Sequence, residues 1–239
     1  MIVARVTRHM RFRLKPKTFL DASRRDWQFA AFGWLLRHCG GYPKFFETTL
    51  VLPTEEHFPD RGMKGHAAVS ALFRRVRDHA GMADWPCTVE AESDEPREVA
   101  AGADGIRVFT YRRGGLEPVS LVAGFACNLA RYLIETFDEA APGGDAGTAS
   151  AADLTAVFMG FGVFMVNSAA RQGRHHLSEG ELAHALALFC LLRELPPESA
   201  DPHLNPHLRK YLRLAARDLA QYQVQFQKLR ATVPVAPVE

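Results

Sequence analysis

The chain has 239 residues, of which 47% are hydrophobic and 23% are charged, and its formal net charge is +2. These values are typical of a globular protein with its own core, and they exclude an overall electrostatic field that would attract nucleic acid or a membrane. The four cysteines are scattered without a Cys-x-x-Cys pair, so the sequence predicts no disulfide framework and indicates a reducing, cytoplasmic compartment.

The first twenty residues differ from the rest of the chain in charge, because they hold six Lys or Arg and no acidic residue. Apolar and basic residues alternate over 1–14, which predicts an edge strand or an arm and no secretory signal. A basic arm can bind a phosphate backbone by releasing counterions, so a nucleic-acid-associated protein is one function that the sequence allows. The arm can equally be a solvated strand or a contact for the acidic segment 89–104.

Hydrophobic spacing, cap residues and prolines predict about six helices and three short strands. The predicted strands are Thr48–Leu52, Thr88–Glu92 and Ile106–Tyr111. The predicted helices are Asp21–Cys39, His66–His79, Leu121–Glu135, Ala152–Ser168, Ser178–Arg193 and a long last helix that ends near Leu229.

Two of the predicted helices are strongly apolar. Leu121–Glu135 and Ala152–Ser168 should both be buried, and the second is apolar nearly all round, which is typical of a helix at the centre of a domain. The longest apolar run, Leu154–Val166, is too short to cross a bilayer core of about 30 Å, so we expect no membrane span.

The domain organisation is simple, since the chain shows no internal repeat and no domain boundary. We predict one mainly helical α+β domain over 21–230, with a small sheet packed on the helix that contains Cys127. A basic arm at 1–20 precedes this domain, and a flexible tail at 231–239 follows it.

Two polar groups contain enough metal-binding side chains to hold an ion. One is a loop with Glu55, Glu56, His57 and Asp60, and the other is a segment with His175, His176, Glu179, Glu181 and His184. The loop residues can equally face water, and Ser178 with Glu181 has the spacing of a capping box.

Four stretches of the chain, in this order, resemble a group of bacterial hypothetical proteins of zincin-like type. They read LVLPTEEHFPDRG, LVAGFACNLARYLI, DLTAVFMGFGVFMVNSAAR and HHLSEGELAHALALFCLLRELPP. In that group the second stretch is a helix with a His-Glu-x-x-His motif, which places two imidazole ligands one turn apart and a glutamate base between them. A third ligand comes from another element, and a fourth position stays open for substrate.

This chain lacks most of the side chains of that motif. The resemblance puts the first ligand position at Cys127, the base at Asn128, the second ligand at Arg131 and the third ligand at Asp153. A cysteine thiolate can bind zinc, but an asparagine amide is not a base at neutral pH, and an arginine has no lone pair to donate. The resemblance therefore implies a vestigial metal site, without a metal cofactor and without catalytic residues.

Arg131 suggests a replacement for the lost metal. If its guanidinium lies within hydrogen-bonding distance of Asp153, an ion pair joins the two helices in place of a metal bridge. The alternative is that Arg131 lies on the helix surface and that Asp153 is a first-turn acid stabilised by the helix dipole.

We therefore expect a catalytically inactive zincin-like protein that binds a protein partner or assembles into a larger complex. The main alternative is a divergent, peptidase-like zinc-dependent hydrolase with non-standard ligands, such as Cys127, Asp153 and a distant histidine. A further alternative makes Cys127 a nucleophile with a nearby histidine as its base, although a buried free cysteine is otherwise a small core residue.

Overall fold

The computed structural model describes residues 18–60, 62–92, 105–112, 117–144, 147–172 and 175–235. The α-helices are α1 (Ala22–His38), α2 (Gly41–Phe45), α3 (Gly65–His79), α4 (Pro118–Ile134), α5 (Thr148–Ala156), α6 (Gly162–Gln172), α7 (Glu179–Leu192), α8 (Pro206–Leu219) and α9 (Gln223–Arg230). Two strands, β1 (Cys87–Ala91) and β2 (Arg107–Tyr111), lie between α3 and α4. This mainly helical α+β architecture confirms the predicted fold class.

The buried side chains form one continuous hydrophobic cluster that the helices surround. Helix α7 packs against α6 and α8, and helix α4 packs against α3, α5 and α6. Most side chains of α7 are buried, because ten of its fourteen positions hold Leu, Ala, Phe or Cys. The two apolar helices predicted to be central, which correspond to α4 and to α5 with α6, do lie in this core.

The sheet is small, with β1 and β2 paired in parallel so that Val89 faces Phe109. It reaches α4 through aromatic and charged side chains of β2. The Phe109 ring lies 6.4 Å from that of Tyr132, and the Arg107 guanidinium lies 4.5 Å from the same Tyr132 ring. The predicted contact between the sheet and the Cys127 helix is therefore confirmed.

The predicted strand Thr48–Leu52 is wrong, because this segment is not assigned as a strand and its backbone bonds to a helical segment instead. The Val51 N–H donates to the carbonyl of Gly160 over 2.9 Å. Gly160 lies in a π-helical segment, Val157–Phe161, that joins α5 to α6, and its φ of 97° frees that carbonyl from the helix. A Cβ atom at Gly160 would lie 2.1 Å from the Thr49 carbonyl oxygen, so the close approach requires glycine.

The predicted single last helix is also wrong, since a turn at 220–222 separates α8 from α9. Tyr222 stabilises this turn, because its hydroxyl accepts a hydrogen bond from Arg25 over 2.7 Å. The turn brings α9 onto α1, where the rings of Phe29 and Phe226 lie 5.9 Å apart. A short 3₁₀ helix, Pro197–His203, precedes α8.

The predicted arm, acidic segment and tail are only partly described by the structure. Residues 1–17 of the predicted arm over 1–20, and residues 93–104 of the acidic segment 89–104, lie outside the described residues. The predicted flexible tail begins in contact with the fold, because the Val235 N–H donates to the Arg37 carbonyl over 2.8 Å.

The continuous helical stretch Thr148–Arg171 has 24 residues, which is longer than the apolar run measured in the sequence. By length and composition alone it could cross a membrane. In the protein, 89% of the most apolar 18 residues of this stretch are buried. The core helix of a globular protein can have the same length and composition.

Candidate metal centre

Three elements that are distant in sequence bring together a thiol, a carboxylate and an imidazole. Cys127 lies in the middle of α4, Asp153 lies in α5, and His175 lies in the segment between α6 and α7. Their donor atoms all lie within 4.8 Å of one another. The Asp153 and His175 side chains are only 4% and 7% exposed, so the group belongs to the core.

One carboxylate oxygen is the centre of this group. The Cys127 thiol donates to Oδ1 of Asp153 over 3.2 Å, and Nδ1 of His175 lies at the same distance from that oxygen. The Cys127 Sγ atom lies 4.0 Å from the His175 Nδ1 atom. Because an ionised carboxylate only accepts hydrogen bonds, the His175 Nδ1 carries its proton in this arrangement.

The other oxygen of Asp153 is held by the backbone. Its Oδ2 atom accepts hydrogen bonds from the N–H groups of His176 and Leu177, over 2.6 and 3.0 Å. The next residue, Ser178, caps α7 in a complete capping box with Glu181. The loop before α7 therefore fixes the orientation of the carboxylate, and the capped N-terminus of α7 fixes that loop. Carboxylate ligands of metal sites are held by hydrogen bonds in the same way.

The environment changes the proton affinities of two of the three groups. Burial raises the pKa of the Cys127 thiol well above its usual range, and the charge of Asp153 raises it further, while the charge of Arg131 opposes both effects. Burial alone would raise the pKa of Asp153. Hydrogen bonds from His175, Leu177 and Cys127 outweigh burial and lower that pKa instead. The metal-free site therefore holds a protonated thiol beside an ionised carboxylate.

The spacing of the donor atoms fits a small divalent ion. Zinc binds sulfur at about 2.3 Å and nitrogen or oxygen at about 2.0–2.2 Å, so tetrahedral zinc ligands lie about 3.3–3.6 Å apart. The observed separations of 3.2, 3.2 and 4.0 Å are close to these values. Thiolate, imidazole and carboxylate are also the ligand types that zinc selects. The residues present therefore fit a zinc-class ion.

The predicted ion pair between Arg131 and Asp153 is wrong. Arg131 is exposed, whereas Asp153 is 3% exposed and already accepts hydrogen bonds from Cys127, His175, His176 and Leu177. Within the described part of the chain, no hydrogen bond or ion pair joins Arg131 to this carboxylate. A charged guanidinium stays in water when every acceptor position of the buried acid is taken.

Of the four positions that the resemblance assigns to the metal site, two meet in space. Cys127 and Asp153 are in contact, Asn128 is half-buried one residue further along α4, and Arg131 lies one turn away at the surface. His175 completes the group, and it was not assigned to this site by the sequence pattern. The sequence placed His175 in a separate metal-capable segment, and it allowed a distant histidine beside Cys127 and Asp153 without indicating which one.

The metal-capable segment 175–184 is divided between two sites. His176 is exposed, Glu179 forms an ion pair with His207 over 3.3 Å, and Glu181 accepts from Arg24 as well as from its own capping box. His184 is fully buried and lies against Gln28, with 2.8 Å between Nδ1 and Oε1. These residues do not converge on one point.

The loop group does not form a metal site either. Nδ1 of His57 lies 2.9 Å from the Thr54 hydroxyl, and Asp60 pairs with Arg75 over 2.8 Å. Over the described ranges, the group Cys127, Asp153 and His175 is the one place where three metal-binding side chains meet.

Comparison with protein-family models, with curated proteins and with solved structures finds no match for this chain. The zincin-like resemblance therefore stays a prediction.

Proposed function

We propose that the protein is a non-catalytic metal-binding protein of zincin-like form, in which Cys127, Asp153 and His175 hold one zinc-class ion. The observation that carries this proposal is the convergence of three different ligand types within 4.8 Å in the core. When bound, the ion supplies a cross-link between elements that are far apart in sequence, as structural zinc does.

Charge balance supports a divalent ion. A thiolate and a carboxylate together provide two negative charges, and a divalent cation neutralises both without leaving an unpaired charge in the core. When the ion binds, Cys127 releases its thiol proton to solvent and the His175 proton moves from Nδ1 to Nε2, so the neutral imidazole adds an Nδ1 ligand without adding charge.

The site is also assembled before any ion binds. Hydrogen bonds to Asp153 from Cys127 and His175 hold the three side chains together, and two backbone N–H groups hold Asp153. A ligand that enters a preformed site does not have to order those side chains, so less binding energy is lost.

Hydrolysis requires a base beside the open coordination position, and the corresponding residue here is Asn128. Its amide cannot accept a proton at neutral pH. Arg131, one turn further, carries a permanent positive charge where a zincin has its second ligand. We therefore assign the ion a structural role, in a scaffold that binds a protein partner.

Elemental analysis of the purified protein tests this proposal. We expect about one zinc per chain in the wild type and in His176→Asn, whose side chain is exposed. We expect no bound zinc in His175→Asn, because the amide nitrogen can still donate to Asp153 but has no lone pair for a metal. Wild-type protein without zinc after growth and refolding with zinc, or equal zinc in both variants, would overturn the proposal.

A divergent zinc-dependent hydrolase is the second candidate function. The observation that favours it is the number of ligands, because catalytic zinc sites have three protein ligands and one open position. Peptide cleavage by zinc-loaded protein separates the two functions. We expect no cleavage above the level of His175→Asn, and zinc-dependent cleavage that this variant loses would favour the hydrolase.

A further inference from the structure

A second sulfur atom lies beside the proposed metal site. The Met165 Sδ atom, in α6, lies 3.8 Å from the Cys127 Sγ atom, and the Met165 side chain is fully buried. The Cys127 sulfur therefore faces a carboxylate oxygen on one side and a thioether on another.

The separation of the two sulfur atoms matches that of two ligands of one ion. Two sulfur ligands at about 2.3 Å from a metal, with a tetrahedral angle between them, lie about 3.8 Å apart. Met165 lies one turn into α6, and α6 packs between α4 and α7. The packing of α6 against α4 and α7 therefore holds the Met165 sulfur about this far from the Cys127 sulfur.

The four side chains differ in the metals that they prefer. A carboxylate is a hard ligand that suits divalent ions such as zinc but not monovalent copper, whereas a thioether is a soft ligand that suits monovalent copper, Cu(I). Thiolate and imidazole bind both metals. Cys127 and His175 are therefore common ligands, while Asp153 favours one metal and Met165 favours the other.

We infer that the site binds Cu(I) as well as zinc, with Met165 as the soft ligand that makes Cu(I) binding possible. The inference rests on the proposed function, since it concerns the same site. It assigns Cys127, Met165 and His175 to Cu(I), and Cys127, Asp153 and His175 to zinc. The two metals then compete for one site, so binding of either excludes the other.

Competition titrations of the full-length protein test this inference. Cu(I) is supplied under ascorbate with a coloured Cu(I) chelator, and zinc is measured separately with a zinc-binding dye. Met165→Leu conserves the side-chain volume, and Met159→Leu is the matched control in the neighbouring π-helical segment. Asp153→Asn is the variant for the opposite preference.

We expect each of the two variants to weaken the binding of one metal more than that of the other. Met165→Leu should weaken Cu(I) binding about tenfold or more and leave zinc binding essentially unchanged, while Asp153→Asn should weaken zinc binding more than Cu(I) binding. Met159→Leu should change neither affinity. Cu(I) should also displace zinc at a stoichiometry of one ion per chain, because thiolate and thioether are soft ligands.

Other results overturn the inference in distinguishable ways. If the wild type binds zinc but not Cu(I), or if Met165→Leu weakens both metals alike or neither, the thioether is not a ligand and only this inference fails. If the wild type binds neither metal, the proposed function fails together with it.

Discussion

Two histidines from one short stretch of sequence, His175 and His184, are both largely buried but have different surroundings. The Nδ1 atom of His184 lies 2.8 Å from Oε1 of Gln28, and the Gln28 amide donates to the Glu181 carbonyl over 2.9 Å. Because the Gln28 N–H faces a carbonyl, its oxygen faces His184, and the imidazole must be the donor. The Nδ1 atom of His175 instead faces a carboxylate and a thiol.

The difference between these two regions lies in the charge that their acceptors can carry. Around His184 each hydrogen bond joins neutral groups, so no negative charge in this cluster calls for a cation. Around His175 a carboxylate and a potential thiolate converge on the imidazole, and a cation would complete the group. A buried histidine therefore indicates a metal site only when its neighbours are potential anions that share one point.

Removing the carboxylate should have the largest effect on the His175 region. Asp153→Ala leaves two backbone N–H groups, one of them buried, and two side chains without their acceptor, so we expect it to lower the free energy of unfolding by about 3–5 kcal/mol. Urea unfolding followed by circular dichroism measures this loss. Asp138→Ala, at an exposed position, should change the free energy by less than about 0.5 kcal/mol.

A loss below about 1 kcal/mol in Asp153→Ala would mean that this carboxylate does not hold the loop before α7. The His175 and His184 regions would then differ in where they lie in the fold, but not in how much their hydrogen bonds stabilise it.

Acid should reveal the neutral character of the His184 region. Burial lowers the pKa of His184 from its ordinary 6.5 to about 4, and within the described residues its Nε2 atom has no hydrogen-bond partner. Between these two pKa values the unfolded chain binds the proton and the folded protein does not. The stability that His184 contributes is therefore complete above pH 6.5 and is lost as the pH falls towards 4.

For one such group, the expected loss in the free energy of unfolding between pH 7 and pH 5 is about 2 kcal/mol. Urea unfolding at both pH values should show this loss in the wild type. In His184→Asn, whose amide can replace the Nδ1–H donor, the loss should be smaller by that amount. The same pH dependence in both proteins would show that His184 is not the group responsible.

The smallest effect should come from the ion pair at the edge of the His184 region. Arg24 donates to Glu181 over 2.5 Å, but its side chain is 58% exposed. Exposed ion pairs contribute about 0–1 kcal/mol, so Arg24→Gln should lower the free energy of unfolding by less than 1 kcal/mol and should leave metal binding unchanged. A change in zinc content in this variant would show that the two regions are coupled through Glu181.

Much of the fold could be predicted because the relevant signals are local. The capping box of Ser178 and Glu181, whose spacing the sequence shows, forms both of its hydrogen bonds. The segment Thr48–Leu52 was wrongly predicted to be a strand. Nothing in its own sequence indicates that its backbone bonds to Gly160 in the π-helical segment. The break at Tyr222 depends on Arg25, which lies nearly the whole chain away.

The candidate site could be predicted only in part, for the same reason. The zincin-like pattern placed Cys127 and Asp153 at one site, and they are in contact. The pattern also suggested Arg131 as the partner of Asp153, and this prediction is wrong. Helical spacing alone cannot show which face of α4 meets α5. His175 and Met165 enter the site through the packing of two further elements, which no local spacing records.

Cobalt substitution shows whether Cys127 is a metal ligand beside Asp153 and His175. Cobalt(II) bound to a thiolate has a sulfur-to-metal charge-transfer band in the near ultraviolet. We expect this band to appear at one equivalent of cobalt in the wild type and in Cys39→Ser, to be absent in Cys127→Ser, and to disappear when zinc is added. A wild-type protein without the band, or a band that persists in Cys127→Ser, would contradict the account.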